Sequence, residues 1–446
     1  MGRTKMLSTK YLIIGNSAGG IGAAEAIREV DKTGPLTIVS DEPYPAYSRP
    51  LISAYLAGER TLEGMLFRPA DFYSQNKIVS LLGKKVKDLG LESHTAELDG
   101  GERIIWEKLL LATGGTPIVP RIEGMGKRGV FTFTTLDDAK RIDEFLANAS
   151  KAVVIGGGLI GISATEALVK RGIEVTVIEM KERILNTVVD EQASLIAEEA
   201  LKHAGVRMIT AHTAAEISGE ETVRGVVLDN GKRIACSLVV VAVGVMPRTE
   251  VALGTEIELD HGIVVDRRMA TSYPTVYSCG DAAEAYDFVY GVNRLTPIWP
   301  NAYLGGRIAG YNMADIKTQY PGGTAMNSLT YFGLDIAAAG MVTPPNDGSY
   351  EVISRRKDNS YRKIVLRDNL VMGMVFVGDI ERSGIVFSLM RDRVNVGSFK
   401  QALLADDFGL VSFPRELWQE RLETPPLRLV PQSSMPVEAV KNFAGE

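Results

Sequence analysis

Short apolar runs closed by glycine or by acid alternate along this chain with stretches whose apolar positions recur at helical spacing. Tyr11-Leu-Ile-Ile runs into Gly15-Asn-Ser17-Ala18-Gly-Gly20, and the small and apolar residues that follow, to Val30, predict a helix. Leu36-Thr-Ile-Val-Ser then ends in Asp41-Glu42. The same order returns as Val153-Val-Ile, the turn Gly156-Gly-Gly158-Leu-Ile-Gly161, a helical stretch, and Val175-Thr-Val-Ile ending in Glu179. Uninterrupted apolar strands separated by helices predict parallel sheets covered on both faces, an α/β fold built from a duplicated unit.

The remaining pattern completes each unit. A Pro/Tyr/Ser/Arg loop over 42–50 leads to a helix over 51–56, and the first unit closes on Lys108-Leu-Leu-Leu-Ala-Thr113-Gly114, with 115–120 read as a linker. The second closes on the matching Leu238-Val-Val-Val-Ala-Val-Gly244-Val-Met-Pro247. Thr275-Val-Tyr-Ser-Cys279-Gly280-Asp281 is one more short strand, and Pro297-Ile-Trp299-Pro300-Asn301 leads a small-residue helix over 302–313; both are expected to return to the first unit. From Asn327 the pattern turns β-rich, as in Tyr361-Arg-Lys-Ile-Val-Leu, with helices expected over 380–391 and 399–404. The Pro/Ser-rich end reads as a tail or a strap on a neighbouring subunit. The expected division is 1–118 with 247–325, an inserted 119–246, a C-terminal α/β domain over 326–424, and a tail over 425–446.

At 446 residues the chain is long enough for about three domains, and 45% hydrophobic with 23% charged residues is ordinary for a soluble globular protein. A net charge of −6 gives no basic footprint for nucleic acid or an anionic membrane. The N-terminus has basic residues but no apolar run, and no stretch reaches about 18 uninterrupted apolar residues, so a cytoplasmic protein without a membrane span is expected. Cys236 and Cys279 are far apart, and four histidines are scattered, so no metal centre is expected. The chemistry must come from a bound organic cofactor.

The glycine turns say which kind. The first glycine permits a tight turn, the middle position lets the backbone approach a pyrophosphate, and the third packs helix on strand; the phosphates then meet N–H groups at a helix N-terminus. A carboxylate about 20 residues on is placed to accept from an adenosine ribose. Two turns with two acids predict two dinucleotide sites.

Taken in order, Gly15…Gly20, Ala112-Thr113-Gly114, Gly156…Gly161, Gly244-x-x-Pro247 and Gly280-Asp281 resemble the two-dinucleotide flavoprotein reductases of the pyridine nucleotide-disulfide oxidoreductase superfamily, over roughly residues 10–420. Tyr47-Ser-Arg49-Pro50 and Trp299-Pro-Asn-Ala look most like rubredoxin or ferredoxin reductases and the flavin portion of NAD(P)H-dependent nitrite reductase. The resemblance implies two Rossmann-like domains, an FAD domain with an inserted NAD domain, and a C-terminal interface domain. It implies FAD held by Gly15, Ser17, Ala18 and Gly20 at the pyrophosphate, Asp41 at the ribose, and Arg49 at the phosphate or flavin edge. Val86, Thr113, Gly114 and Gly280 would line the same site, and Asp281 would accept from the ribityl chain. Trp299 and the helix starting near Asn301 would face the flavin, the positive helix end favouring the reduced anion. Gly156, Gly158, Gly161, Glu179 and Gly244 would hold NAD. Glu179 predicts NADH over NADPH, with Lys181 and Arg183 near enough to soften the preference.

Three departures matter. Ser17 stands where relatives have the middle glycine. A lysine and a glutamate that flank flavin and nicotinamide in relatives are matched by Ala54 and Ser163, which keeps the pocket neutral, since losing both leaves no charge unpaired. Residues 42–60, where relatives carry a redox cysteine, contain none; Cys279 is expected to be structural. The expected activity passes hydride from NADH to flavin and electrons on to a redox protein of ferredoxin or rubredoxin type, without a thiol. The alternatives are an NADH oxidase using oxygen, or a flavin subunit of a larger redox complex that no longer uses nicotinamide. A homodimer or a subunit of such a complex is the expected assembly.

Overall fold

The computed structural model describes residues 6–409 and 412–414, so the expected tail lies outside the described residues. Each glycine turn sits at the carboxyl end of a buried parallel strand. The first sheet runs Ile78–Leu82, Leu36–Ser40, Met6–Ile14, Arg103–Leu111 in spatial order. Val276–Ser278 joins the carboxyl half of Arg103–Leu111, pairing Val276 with Leu109, which is the expected return of the chain. The amino half of the same strand carries an antiparallel arm, Thr95–Leu98 and Val86–Gly90. The second sheet, Arg207–Thr210, Glu174–Glu179, Lys151–Ile155, Leu238–Val241 and Val130–Thr132, is parallel throughout. One face of it is covered by a three-stranded antiparallel sheet spanning Ala214–Ser218, Gly225–Leu228 and Arg233–Ala235, whose Ile217 and Val226 pack with Val153 and Val239.

The expected linker is partly strand. Gly115–Pro117 pairs antiparallel with Val245–Pro247, because the chain crosses between the two sheets twice at one place and each crossing satisfies the other's backbone groups.

Helix Ala18–Val30 lies directly on helix Trp299–Met313. A Cβ at Gly306 would stand 2.0 Å from the Gly19 carbonyl oxygen, and one at Gly310 2.4 Å from that of Ala23. The small residues of both helices are there because the backbones touch. The second helix starts at Trp299, ahead of the expected start, since Pro300 suits a first turn, where its missing N–H costs nothing.

The C-terminal part is a five-stranded antiparallel sheet ordered Met326–Tyr331, Leu334–Gly340, Leu370–Val377, Ser360–Arg367, Glu351–Lys357. Helix Ser383–Arg391 and a 3-10 turn over Lys400–Leu404 occupy the places expected to be helical. This sheet grips two helices of the second unit, Leu159–Lys170 and Glu191–His203. The Phe332 N–H donates to Glu166 at 3.1 Å. Asp190, which caps helix Glu191–His203 by accepting from the Ala193 N–H, also accepts from Tyr361 at 2.7 Å and Lys363 at 3.0 Å. Among the described residues no helix is long and apolar enough to cross a membrane.

Candidate cofactor-binding site

The two turns are sterically specified. Gly15 has φ +122°, and a Cβ there would lie 2.0 Å from the Ala112 carbonyl oxygen; one at Gly20 would lie 1.9 Å from that of Gly15. Gly156 (φ +111°) and Gly161 repeat this, with clashes at 2.3 Å and 1.9 Å. Gly158 differs: nothing lies within 4 Å of a Cβ there. That open middle position explains Ser17. It is the N-cap of Ala18–Val30 with φ −121°, which any residue adopts, and its hydroxyl makes no capping bond. No side chain caps the first amides of either helix, which fits a pyrophosphate.

The two acids behave differently. Glu179 is 8% exposed and accepts from the Gly157 N–H at 2.7 Å and the Lys181 N–H at 2.8 Å, so its carboxylate lies against the turn. Arg183 donates to the carbonyls of Val189 and Asn186 at 2.8 Å and 3.3 Å, and Lys181 remains exposed. Asp41 pairs with Arg248 at 2.9 Å. The Arg248 backbone also binds the other end of the site, its carbonyl accepting from Thr113 Oγ1 at 2.6 Å and its N–H donating to Gly114 at 2.9 Å. Sequence reasoning missed Arg248; its only signal is its place directly after the crossing strand Val245–Pro247. Val86 is buried in the core below, leaving only its backbone to contribute. Gly244 (φ +124°) accepts from the Ile118 N–H at 3.0 Å and so belongs to the crossing.

Arg49 forms a close ion pair with Glu42 and donates to the Thr134 carbonyl at 3.1 Å. Glu42 also accepts from Tyr47 at 2.6 Å, whose hydroxyl in turn accepts from the Leu136 N–H at 3.0 Å. The loop of the first unit is thereby fastened to the second. Asp281 stands on the turn Gly280–Ala282, where Gly280 has φ +74°. Burial raises its carboxyl above the usual range and Arg49 opposes that, while no described residue donates to it. A carboxylate held without a donor fits a ligand hydroxyl group.

Trp299 opens its helix with an apolar N-cap, Ile298, so no side chain satisfies the first amides. Its ring meets Phe67 edge-on at 5.1 Å. Ala54 lies on helix Ile52–Leu56, which packs against Leu159–Lys170, the helix carrying Ser163. Ser163 Oγ donates to the Leu159 carbonyl at 2.9 Å and lies 3.0 Å from the Tyr331 hydroxyl, which reaches the same carbonyl at 3.2 Å. Burial pushes Tyr331 up to about 12, so it stays neutral. Tyr331 comes from the C-terminal sheet, and nothing local in the sequence points to it.

Cys279 is 1% exposed under the helix crossing; a Cβ on Gly19 would come within 2.8 Å of its sulfur. Burial pushes the Cys279 and Cys236 thiols up to about 12. Among the described residues one group could hold a metal ion: Asp260, His261 and Glu284 bring ligand atoms within 4.8 Å, with the first two exposed and Glu284 accepting from the Gly262 N–H.

The pyridine nucleotide-disulphide oxidoreductase family matches residues 9–306, and the rubredoxin NAD+ reductase C-terminal domain matches residues 326–394. The NADH-dependent phenylglyoxylate dehydrogenase subunit epsilon of Aromatoleum evansii is 32% identical over 408 residues, covering 90% of this chain and 96% of that one. Nitrite reductase [NAD(P)H] of Bacillus subtilis is 29% identical across 87% of this chain but only 48% of its own length, so this chain spans about half of it. A ferredoxin reductase from Rhodopseudomonas palustris superposes with a TM-score of 0.78 at 26% identity, covering 85% and 93% of the two chains. Two complete glycine-turn units, each with its acid, agree with these matches: the chain belongs to the pyridine nucleotide-disulphide oxidoreductase family, whose members use FAD and NAD(P)H.

Proposed function

We propose that this chain oxidises NADH through FAD and delivers the electrons to a small redox protein of ferredoxin or rubredoxin type, with no cysteine in the path. The observation that carries the reading is the pairing of two dinucleotide cradles with an electron route that has no reactive thiol: residues 42–60 hold no cysteine, and Cys279 is sealed under two helices. The C-terminal match and the ferredoxin reductase likeness support the class of acceptor.

FAD, when bound, supplies two-electron acceptance from nicotinamide and one-electron release to a partner. The chain supplies position and charge. The residues around Gly15, Ser17, Ala18 and Gly20 present amides to the pyrophosphate, Asp41 and Arg248 hold the adenosine end, and Asp281 accepts from the ribityl chain. The N-terminus of helix Trp299–Met313 brings positive charge to the flavin edge, favouring electron uptake, and Arg49, neutralised by Glu42, lines that edge. Gly156, Gly158 and Gly161 hold the second pyrophosphate and Glu179 its ribose. In this reading residues 1–118 and 247–325 form the FAD domain, 119–246 the NAD domain and 326–424 the interface domain, in a cytoplasmic homodimer.

Anaerobic titration with NADH tests it: the flavin absorbance bleaches at one equivalent and returns on adding an oxidised ferredoxin. Flavin-replete protein that NADH does not bleach would refute it. A second reading is favoured by the nearly full-length match to a dehydrogenase subunit: the chain is the flavin subunit of a larger redox complex. Copurification with stoichiometric iron–sulfur subunits from its native source would select that reading.

A further inference from the structure

Three parts of the chain meet at helix Leu159–Lys170. The second glycine turn opens it, helix Ile52–Leu56 from the loop of the first unit packs against it, and so does strand Met326–Tyr331 of the C-terminal sheet. Hydride passes only where two dinucleotides meet, and this helix is the element beside the second turn that touches the loop carrying Arg49. One turn into it, about 6 Å beyond Leu159, stands Ser163, part-exposed. Behind Ser163 lies Tyr331, 7% exposed, in the same apolar cluster as Ile336 and Val377. A phenylalanine would fill that apolar place equally well, so the hydroxyl needs a polar reason, since burying one without a bond is costly.

We infer that Tyr331 is a positioning residue that sets the Ser163 hydroxyl to accept from the carboxamide N–H of nicotinamide, so that the C-terminal sheet takes part in recognising the hydride donor; the inference rests on the function proposed above and adds how the ring is recognised. Ser163 Oγ lies 2.9 Å from the Leu159 carbonyl and 3.0 Å from the Tyr331 hydroxyl, both shorter than the 3.2 Å from Tyr331 to that carbonyl. The two short contacts form a relay: Tyr331 donates to Ser163, and Ser163 donates to Leu159. Both hydroxyl protons are then spent inside the trio. Among the described residues nothing else donates to Ser163, so its Oγ keeps a lone pair for a ligand and no proton to give. Lone pairs repel a phosphate and take an N–H. Glu166 on the same helix does not compete for that role, because it accepts from the Phe332 N–H and pairs with Lys170 at 3.5 Å.

The test uses the FAD-loaded, oxidised full chain and three ligands. They are NAD+, its 3-acetylpyridine analogue, in which a methyl group replaces the carboxamide NH2, and ADP-ribose, which lacks the ring. Kd is measured by calorimetry for wild type, Tyr331→Phe, Ser163→Ala and Ser163→Thr at equal flavin content. Tyr331→Phe and Ser163→Ala should each weaken NAD+ about fivefold, the worth of one ordinary hydrogen bond, and leave the analogue and ADP-ribose within about twofold. Ser163→Thr, which keeps the hydroxyl, should bind NAD+ as wild type does. Tyr331→Phe/Ser163→Ala should be no weaker than Ser163→Ala alone, because Tyr331 acts through Ser163. A merely structural role would weaken all three ligands together, which overturns the inference, as does equal weakening of NAD+ and the analogue. If Tyr331→Phe fails to load FAD, Ser163→Ala against Ser163→Thr decides the same point. A wild type that binds ADP-ribose but holds NAD+ no better than the analogue overturns this inference alone; one that binds neither ADP-ribose nor NAD+ overturns it together with the reductase reading.

Discussion

Replacing Glu179 with glutamine should move this enzyme from NADH towards NADPH, and the geometry bounds how far. The carboxylate is held in place by the Gly157 and Lys181 amides, so it cannot swing away from a 2′-phosphate. Two unit charges about 4 Å apart at an effective dielectric of about 20 repel by about 4 kcal/mol. Salt and partial exposure of the cleft reduce this to about 2 kcal/mol as a lower bound. The corresponding gain in kcat/KM for NADPH is about 30-fold to about 1,000-fold. Glutamine keeps an oxygen for the buried Gly157 N–H, which avoids the roughly 1–3 kcal/mol cost of an orphaned buried donor that alanine would incur, and gives up only the bond from the part-exposed Lys181 N–H. NADH should lose only the charge-assisted part of one hydrogen bond, about 1 kcal/mol or about fivefold. Steady-state kinetics with ferricyanide and both nicotinamides, on protein of equal flavin content, measure this directly. A preference ratio within threefold of wild type, or a wild type that already favours NADPH, would refute the role given to Glu179.

Ser163→Glu should lower kcat/KM for NADH about tenfold or more, because it places an unpaired carboxylate beside the buried Tyr331 hydroxyl; adding Ala54→Lys should restore part of the loss. Additive effects in that cycle would show that the two positions do not meet. Gly306→Ala should lower Tm and the flavin-to-protein absorbance ratio, since clearing the Gly19 carbonyl drives the helices apart by more than about 1 Å, a strain of roughly 1–3 kcal/mol or more against a helix-propensity gain of about 1 kcal/mol. Gly305→Ala, whose nearest neighbour is the Cys279 Cβ at 3.3 Å, should be milder, and the reverse order would count against the contact. With thiols near 12, about one in ten thousand is ionised at about pH 8, so iodoacetamide should leave Cys236 and Cys279 of the native protein unlabelled by mass spectrometry and turnover intact. Fast labelling with loss of turnover would restore a thiol mechanism.

What the sequence shows and what it hides divide along a physical line. The glycine turns are legible because backbone sterics demand them, and the apolar strands because both their faces are covered. Ser17 is legible as a departure, but only the open space at Gly158 explains why it is tolerated. Arg248 on Asp41 and Tyr331 on Ser163 are side-chain meetings between distant segments, and such pairs leave no periodic trace. Arg183, expected from sequence to lie beside Glu179, spends its donors on the Val189 and Asn186 carbonyls, partners the sequence does not reveal. The antiparallel sheet from Ala214 to Ala235 is built of strands only three to five residues long, too short to alternate clearly, and 115–120 looked like pure linker because a ladder three residues long has no pattern of its own.

That ladder has a consequence for how such a chain can be rebuilt. Gly115–Pro117 and Val245–Pro247 carry the polypeptide out to the second sheet and back through neighbouring strands, about 4.8 Å apart. A segment whose two ends are this close can be exchanged for another without stretching the remainder, which is the condition under which insertions succeed. Exchange at these two cuts would transplant nicotinamide preference with Glu179 while leaving the first cradle intact. The graft would carry two obligations: at the places of Ser163, Glu166 and Asp190 it must bring groups that Tyr331, Phe332, Tyr361 and Lys363 can meet, and at Thr134 and Leu136 a backbone that Arg49 and Tyr47 can reach.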